Sequence, residues 1–409
     1  MEVRIERLGA RGDGIAETPD GAVYVAGTVP GDTVEVKLLG KRGDGRVGRI
    51  ARLVTPGASR RPPACRHFGT CGGCALQHVD TAAYLGWKRD RIAEALKQHG
   101  IAAEIGDTAS VPPGTRRRVR FAFQKIGGRM LTGFREAKSD RIVDVADCPV
   151  ALPGIVVLLP GLREFLARHA DKGEVAVTMA ANGLDLVVFA DREPGLDLRL
   201  DAPAFCEGSG VARLSWAAKG RTPEQLLALR APRIRFGTVE TELPPDAFLQ
   251  PTAEGESILR GFVLEAVGDA ARVLDLYAGC GAFALPLAAA GRIVHAVEGL
   301  AGQTRAIARA APEVTTETRD LARQPLRRDE LARFDAAILD PPRAGAREQV
   351  AELATSAVPA IVYVSCNPAT FARDARNLID AGYAVGRVLP VDQFLWSHHV
   401  ELAATFRRR

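Results

Sequence analysis

The stretch "RVLDLYAGCGAFALPLAAA" (272–290) decides the reading of this chain. Its first half is an apolar run broken by Asp275 and then by Gly279 and Gly281, so it reads as a buried strand turning into a helix rather than as a membrane span. Glycine at 279 and 281 lets the backbone pass close to a ligand, and Glu298 closes the next apolar run, "IVHAVE". A carboxylate about twenty residues beyond such glycines is placed to accept both hydroxyls of a ribose. By itself the segment suits NAD almost as well as S-adenosylmethionine, or a tight turn with no ligand. Asp275 favours the methyl donor, because a carboxylate before the glycines can reach an ammonium and would repel a pyrophosphate.

Outward from this turn, strands and helices alternate from about residue 241 onward: "FDAAILD", "AREQVAELATSA", "AIVYVS", "PATFARDARNLIDA". That rhythm predicts a doubly wound α/β sheet with ligands at the carboxyl ends of its strands. "LDPPRAG" (339–345) then sets Asp340 at the sheet edge with two prolines stiffening the loop behind it. "VSCNPAT" (364–370) ends the next strand, so Cys366 is expected beside Asp340. The helix beginning near 369 should lower the thiol's pKa and convert Cys366 into a nucleophile. "HHVELAATF" (398–406) alternates as a closing strand in which Glu401 breaks the apolar pattern, as an exposed-face residue or as a functional one.

Towards the N-terminus the pattern changes. Residues 1–58 carry short alternating runs separated by Gly-Asp-Gly, Pro-Asp-Gly and Pro-Gly turns, which predict a small five-stranded β-barrel. Residues 59–240 hold a Pro/Arg linker, a cysteine array, a helix over 80–98 and a hairpin over 174–190 with Asn-Gly at its turn. Residues 241–409 form the α/β part. The 409 residues are 47% hydrophobic and 25% charged, with a formal charge of +5. Arginine gathers in "SRRPP" (59–63) and "TRRRVR" (115–120), which favours an anionic partner; the second run is either an RNA-facing strand or a solvated basic edge. No apolar secretion signal opens the chain and no segment reads as membrane-spanning, so a cytoplasmic location is expected. Nothing in the domain set requires an obligate protein partner.

Seven cysteines in such a chain point to metal binding or reactive thiols rather than disulfides. Cys65, Cys71 and Cys74 form a C-x5-C-x2-C array, and Cys148 in "DCPV" is the natural fourth ligand. Four thiolates suit zinc or an iron–sulfur cluster, and spacing alone leaves both open. Cys206 and Cys280 are expected to be packing residues.

Taken together, "FLQPTAEGESIL" (248–259), "LDLYAGCGAFALPLA", "VEG", "DPPRAG", "SCNPATFARD" and "HHVE" resemble the RNA 5-methyluridine methyltransferases in order and spacing over essentially the whole chain. The resemblance implies a Rossmann-like class I methyltransferase sheet, with Cys366 as nucleophile and Glu401 as general base. It further implies that Gln250, Tyr277, Gly279, Gly281, Ala282, Glu298, Asp320 and Asp340 surround S-adenosylmethionine. Ala282 departs from the asparagine of many relatives, leaving only a backbone contact. The first segment resembles the TRAM domain, an RNA-binding barrel of the OB type. The cysteine array resembles that of the large-subunit rRNA branch, which implies a [4Fe-4S] cluster on Cys65, Cys71, Cys74 and Cys148 and favours 23S rRNA over tRNA as substrate.

The implied reaction is methyl transfer to carbon 5 of a uridine through a cysteine adduct. The alternatives are the same reaction on tRNA, a cytosine-5 or amino-group methyltransferase, an iron–sulfur RNA-binding protein without activity, and an NAD-dependent dehydrogenase. The last is weakest, since Asp275 and Cys366 have no place in it.

Overall fold

Alternation of buried and exposed residues organises the first fifty positions of the computed structural model, which describes residues 1–137, 139–218 and 220–409. Its strands are β1 (Glu2–Arg4), β2 (Arg7–Leu8), β3 (Gly14–Ala16), β4 (Val23–Val25), β5 (Thr33–Arg42) and β6 (Gly45–Thr55), in the order β1-β5-β6-β4-β3-β2. Six strands stand where five were expected, because β1 and β2 are halves of one bent strand. Between them Ile5 N–H donates to Asp32 O (2.8 Å) and Glu6 N–H to Ile15 O (2.9 Å). The first half thereby pairs with β5 and the second with β3, which closes the sheet and removes its edges. Val3, Ile5, Ala16, Val23, Val25, Val34 and Val36 fill the interior. The buried Asp32 carboxylate accepts from Val29 N–H and Gly57 N–H (both 2.8 Å) and from Arg60, tying the barrel's end to the following linker.

The middle of the chain runs through α1 (Thr81–Gln98), β7 (Ala109–Ser110), β8 (Arg118–Ile126), β9 (Arg129–Arg135), β10 (Ile142–Asp144), α2 (Pro153–Val157), α3 (Leu159–His169), β11 (Lys172–Ala180), β12 (Gly183–Ala190), α4 (Leu196–Gly208), β13 (Val211–Ala218) and β14 (Glu224–Ala228). A seven-stranded sheet, β10-β9-β8-β11-β12-β13-β14, packs Phe121, Phe123 and Trp216 against Leu162, Phe165 and Phe205 of α3 and α4. The Asn-Gly hairpin forms as expected, with Ala180 opposite Gly183 and φ of 135° at that glycine. Arg117 of the basic run is neither RNA-facing nor solvated: it is buried, donates to Gln250 O (3.1 Å) and pairs with Glu256.

The remainder comprises β15 (Arg233–Phe236), β16 (Val239–Glu242), α5 (Ala253–Val267), β17 (Arg272–Leu276), α6 (Ala284–Ala289), β18 (Ile293–Glu298), α7 (Ala301–Ala310), β19 (Thr315–Thr318), α8 (Arg328–Leu331), β20 (Ala336–Leu339), α9 (Arg347–Thr355), β21 (Ala360–Ser365), α10 (Pro368–Asp380), β22 (Tyr383–Asp392) and β23 (Glu401–Arg408). The sheet order is β19-β18-β17-β20-β21-β23-β22-β7. Strands β17 to β21 are parallel and buried without interruption along "AAIL" and "AIVYVS", as expected when helices cover both faces. Strand β23 runs antiparallel to both of its neighbours. Helix α1 and β7, read from sequence as part of the middle region, sit with this sheet: Ile92, Leu96 and Ile101 join its core beside Leu378 and Val388. Among the described residues no helix is long and apolar enough to cross a membrane.

Two consequences position the site. Sheet order reverses at β17, with β18 on one side and β20 on the other, which opens a crevice at the carboxyl ends of these strands. Because β23 is antiparallel, it brings its first residue rather than its last to that same edge.

Candidate active site

The loop after β17 wraps tightly. Tyr277, Gly279 and Gly281 have φ of 63°, 56° and 94°, and a Cβ at 281 would lie 2.7 Å from Leu285 Cγ, so only glycine fits there. Tyr277 holds a left-handed conformation without being glycine, a local strain of a kind found at ligand sites. Glu298, at the end of β18, accepts from Gly279 N–H and from Leu300 N–H, each at 3.0 Å. Tyr277, Gly279, Ala282, Glu298, Asp320, Gln250 and Asp340 all line one cavity of about 1080 Å³. Asp320 stands at its exposed rim, its carboxylate accepting from Ala322 N–H at 3.1 Å.

Asp275 differs from expectation. It does not line the cavity; one oxygen accepts from Ala284 N–H (2.9 Å) and the other is buried without a partner. Burial, and then the nearby Asp340, pushes its carboxyl up to about 8. It braces the loop from behind instead of meeting an ammonium.

The expected neighbours Asp340 and Cys366 end adjacent strands, β20 and β21. Pairing of Ser365 with Leu402 then sets Glu401, at the start of β23, next to Cys366 on the same edge. Glu401 is 2% exposed, so the exposed-face reading of this residue is overturned. Burial raises the Glu401 carboxyl, Asp340 raises it further, and a hydrogen bond from Gln393 opposes both. Asp340 is raised chiefly by burial, against a hydrogen bond from Gln250 (2.9 Å).

Cys366 is half-buried, and its thiol is pushed up to about 11 by burial, then by Glu401 and Asp340, with Arg343 pulling it down. The expectation that the helix N-terminus would lower this pKa is therefore corrected. Asn367 caps α10 with its own side chain, accepting from Ala369 N–H at 3.2 Å, and two carboxylates face the sulfur. Arg343 also donates to His399 Nδ1 (2.6 Å). Arginine can only donate, so this imidazole accepts as a neutral ring; burial, His398 and Arg343 together push its pKa down to about 3.

Three features escaped sequence reading. Gln393 bridges Gln250 and Glu401; its only signal is a polar residue at the end of an apolar strand. Arg343 and His399 line the cavity beside Cys366. Lys88 and Asp392, more than 300 residues apart, form an ion pair with both side chains fully buried.

Cys65, Cys71, Cys74 and Cys148 line the far wall of the same cavity. His67 N–H points at Cys65 Sγ and Gly73 N–H at Cys71 Sγ, each at 3.4 Å. Cys74 is pushed up to about 12 by burial and by the other three thiols. Among the described residues no three His, Cys, Asp or Glu side chains are disposed to hold a metal ion. Cys206 and Cys280 are buried, as packing residues should be.

Known proteins match this arrangement. The family described as tRNA (Uracil-5-)-methyltransferase matches residues 233–409, and the TRAM domain matches residues 1–39. The chain is 43% identical to an uncharacterized RNA methyltransferase of Mesorhizobium japonicum, covering 98% of this chain and 96% of that one. It is 35% identical to the 23S rRNA (uracil(1939)-C(5))-methyltransferase RlmD of Halomonas elongata, covering 98% and 88%. The fold is shared with Pyrococcus abyssi tRNA (uracil-54, C5)-methyltransferase in complex with S-adenosyl-L-homocysteine, at a TM-score of 0.80, 24% identity and 99% coverage of both chains. The chain belongs to the RNA uracil-C5 methyltransferase family and is an S-adenosylmethionine-dependent enzyme of that family.

Proposed function

We propose that this enzyme methylates carbon 5 of a uridine in 23S rRNA through a covalent adduct on Cys366. The observation that carries the reading is the meeting of Cys366, Glu401 and Asp340 at one sheet edge, on a cavity with room for both a nucleoside and a methyl donor. Carbon 5 of uracil is too weak a nucleophile to attack unaided. Once the Cys366 thiol has passed its proton to solvent, addition of the sulfur to carbon 6 moves electron density to carbon 5, which then takes the methyl group. Bound S-adenosylmethionine supplies that methyl as an electrophile. Glu401 removes the proton from carbon 5, and elimination frees Cys366. Splitting one hard step into easier ones is what a covalent nucleophile contributes, and the proton step is general-base work.

Gln250, Tyr277, Gly279, Gly281, Ala282, Glu298, Asp320 and Asp340 are the proposed donor-site residues, with Glu298 at the ribose. The uridine leaves its stack to enter the cavity, at a cost of a few kcal/mol, offset by phosphate and single-strand contacts of the barrel and arginine segments. The three parts 1–58, 59–240 and 241–409 serve as RNA-binding barrel, cluster-bearing RNA surface and catalytic unit, in the cytoplasm. The 35% identity to a 23S rRNA enzyme supports rRNA over tRNA.

Cys65, Cys71, Cys74 and Cys148, which line one cavity, are the proposed ligands of a [4Fe-4S] cluster, as the resemblance of their spacing to the rRNA branch implies. Backbone N–H groups aimed at Cys65 and Cys71, together with the repulsion that lifts Cys74, fit a cationic core among the sulfurs. No step of the reaction calls for an electron, so the group is structural.

The test is a trap. Cells fed 5-fluorouracil make RNA whose carbon 5 carries fluorine instead of a removable proton, so a methylated Cys366 adduct cannot eliminate. RNA retained on denatured wild-type protein, and absent from Cys366→Ala, would establish the nucleophile, and sequencing it would name the target. Retention by neither protein would remove the covalent mechanism; retained tRNA would overturn the rRNA assignment.

A further inference from the structure

One buried amide joins two halves of the site that no local sequence pattern connects. Gln393, just past β22 and 1% exposed, donates from Nε2 to Gln250 Oε1 (2.6 Å) and to Glu401 Oε2 (3.1 Å). Gln250 Nε2 donates in turn to Asp340 Oδ2 (2.9 Å). With both carboxylates ionised, the form the base requires, the direction of this chain follows from its ends. Ionised carboxylates only accept, and an amide offers two hydrogens on nitrogen and none on oxygen. With Gln250 giving a hydrogen to Asp340, its carbonyl faces Gln393, so Gln393 must meet both that carbonyl and Glu401 with its nitrogen. The Gln393 carbonyl is left over, buried with no partner. It is seated against Gly255 of α5, where an added Cβ would come within 2.7 Å of both Gln393 Cβ and Oε1. An orphaned buried carbonyl is unfavourable, and the fold tolerates it while keeping the nitrogen turned to Glu401.

We propose that Gln393 is a positioning residue for the proton step: it fixes the Glu401 carboxylate beside Cys366 and couples it, through Gln250 and Asp340, to the occupied donor site. The inference rests on the reading of Glu401 as base and Gln250 as donor contact. Gln393 presents donors and no acceptor to Glu401, so it favours the ionised carboxylate, the form a base requires. The other charged or titrating groups near Glu401 are Asp340 after β20 and Cys366 after β21, with Arg343 and His399 beyond the sulfur. Asp340 opposes ionisation, and Gln393 counters it.

Gln393→Met keeps the volume and removes both donors. Its full-length protein would be compared with wild type in three assays: adduct formation on 5-fluorouridine RNA at saturating donor, methyl transfer to ordinary uridine RNA across pH, and S-adenosylhomocysteine binding by calorimetry. Trapping removes no proton from carbon 5, so it should be spared the loss that transfer suffers. Transfer should fall about ten- to a hundredfold, short of the 10²–10⁴ that a general base contributes, with its acid limb displaced to higher pH. S-adenosylhomocysteine should bind several-fold more weakly, because Gln250 loses its anchor. If Gln393→Met does not fold, Gly255→Ala, which crowds the amide without deleting it, should move the acid limb the same way. An unmoved acid limb, or trapping and transfer falling by equal factors, would overturn the positioning role. Wild-type protein that traps no RNA would instead overturn the covalent mechanism and this role with it.

Discussion

Cys366 sits in an environment that restrains its own reactivity. Proximity to a helix start was legible in "SCNPAT", and by itself it argues for a lowered thiol pKa. What the sequence could not reveal is that Asp340, 26 residues before, and Glu401, 35 residues after, converge on the same sulfur. Burial and then their charge push the thiol up to about 11, so the resting group at neutral pH is the protonated form. Removing one of those charges should lower the thiol pKa, and the direction is testable. In Glu401→Gln, alkylation of Cys366 by iodoacetamide at pH 8 should be faster than in wild type, because more thiolate is present at a given pH. Methyl transfer should be slower by about 10²–10⁴, the usual contribution of a general base. Misfolding would also speed alkylation, by exposing a thiol whose pKa burial raises, so the variant must keep the wild-type urea-unfolding midpoint for the comparison to count. Peptide mass spectrometry of Cys366 across pH reads the result, and slower alkylation in the variant would sink the electrostatic account.

Among elements, α1 and β22 hold the end of the site together through Lys88 and Asp392. Burial pulls the Lys88 ammonium down to about 8 while Asp392 holds it up, and Lys88 also donates to Phe394 O (3.2 Å). Gln393 is the next residue after Asp392, so the pair anchors the loop between β22 and β23. Breaking a buried pair from one side leaves an uncompensated charge and costs about 3–5 kcal/mol. Lys88→Met should therefore lower stability by about that amount in urea unfolding, and Lys88→Met combined with Asp392→Leu should recover most of it. Equal loss in the single and double variants would mean that packing rather than charge is at stake. This pair also marks the limit of sequence reading at this scale. Apolar runs such as "AIVYVS" are local, so β17, β20 and β21 were legible. Lys88 lies in the charge run "KRDR" (88–91), and nothing local says that it faces a carboxylate 304 residues away. The insertion of β23 between β21 and β22 was hidden for the same reason: neighbours in a sheet are chosen by tertiary packing.

Across the whole molecule, one cavity runs from the four cysteines to the donor residues, with Arg116 between them. The Arg116 guanidinium lies near Cys74 and Cys148 and 6.0 Å from the Phe394 ring centroid, in the loop that follows β22. Cys65, Cys71 and Cys74 come from the linker after the barrel, whereas Cys148 follows β10 of the central sheet. Besides the thiols, that junction is held by Gly72 N–H donating to Arg135 O (2.9 Å) and by a bridge between Cys71 and Glu136. A group bound by all four sulfurs would fasten the linker to the sheet, and its removal should loosen the RNA-facing side while leaving the crevice beyond β17 intact. Anaerobically purified protein should accordingly carry about four iron atoms per chain, as a [4Fe-4S] cluster requires, and Cys74→Ser should lose most of them. That variant should melt at a lower temperature and bind RNA more weakly, yet bind S-adenosylhomocysteine as wild type does. One zinc per chain would replace the cluster with a mononuclear site. Weakened S-adenosylhomocysteine binding would mean that the thiols support the donor site directly, since the donor residues follow β17, β18, β19 and β20 or, for Gln250, precede α5, and share no strand with the cysteines.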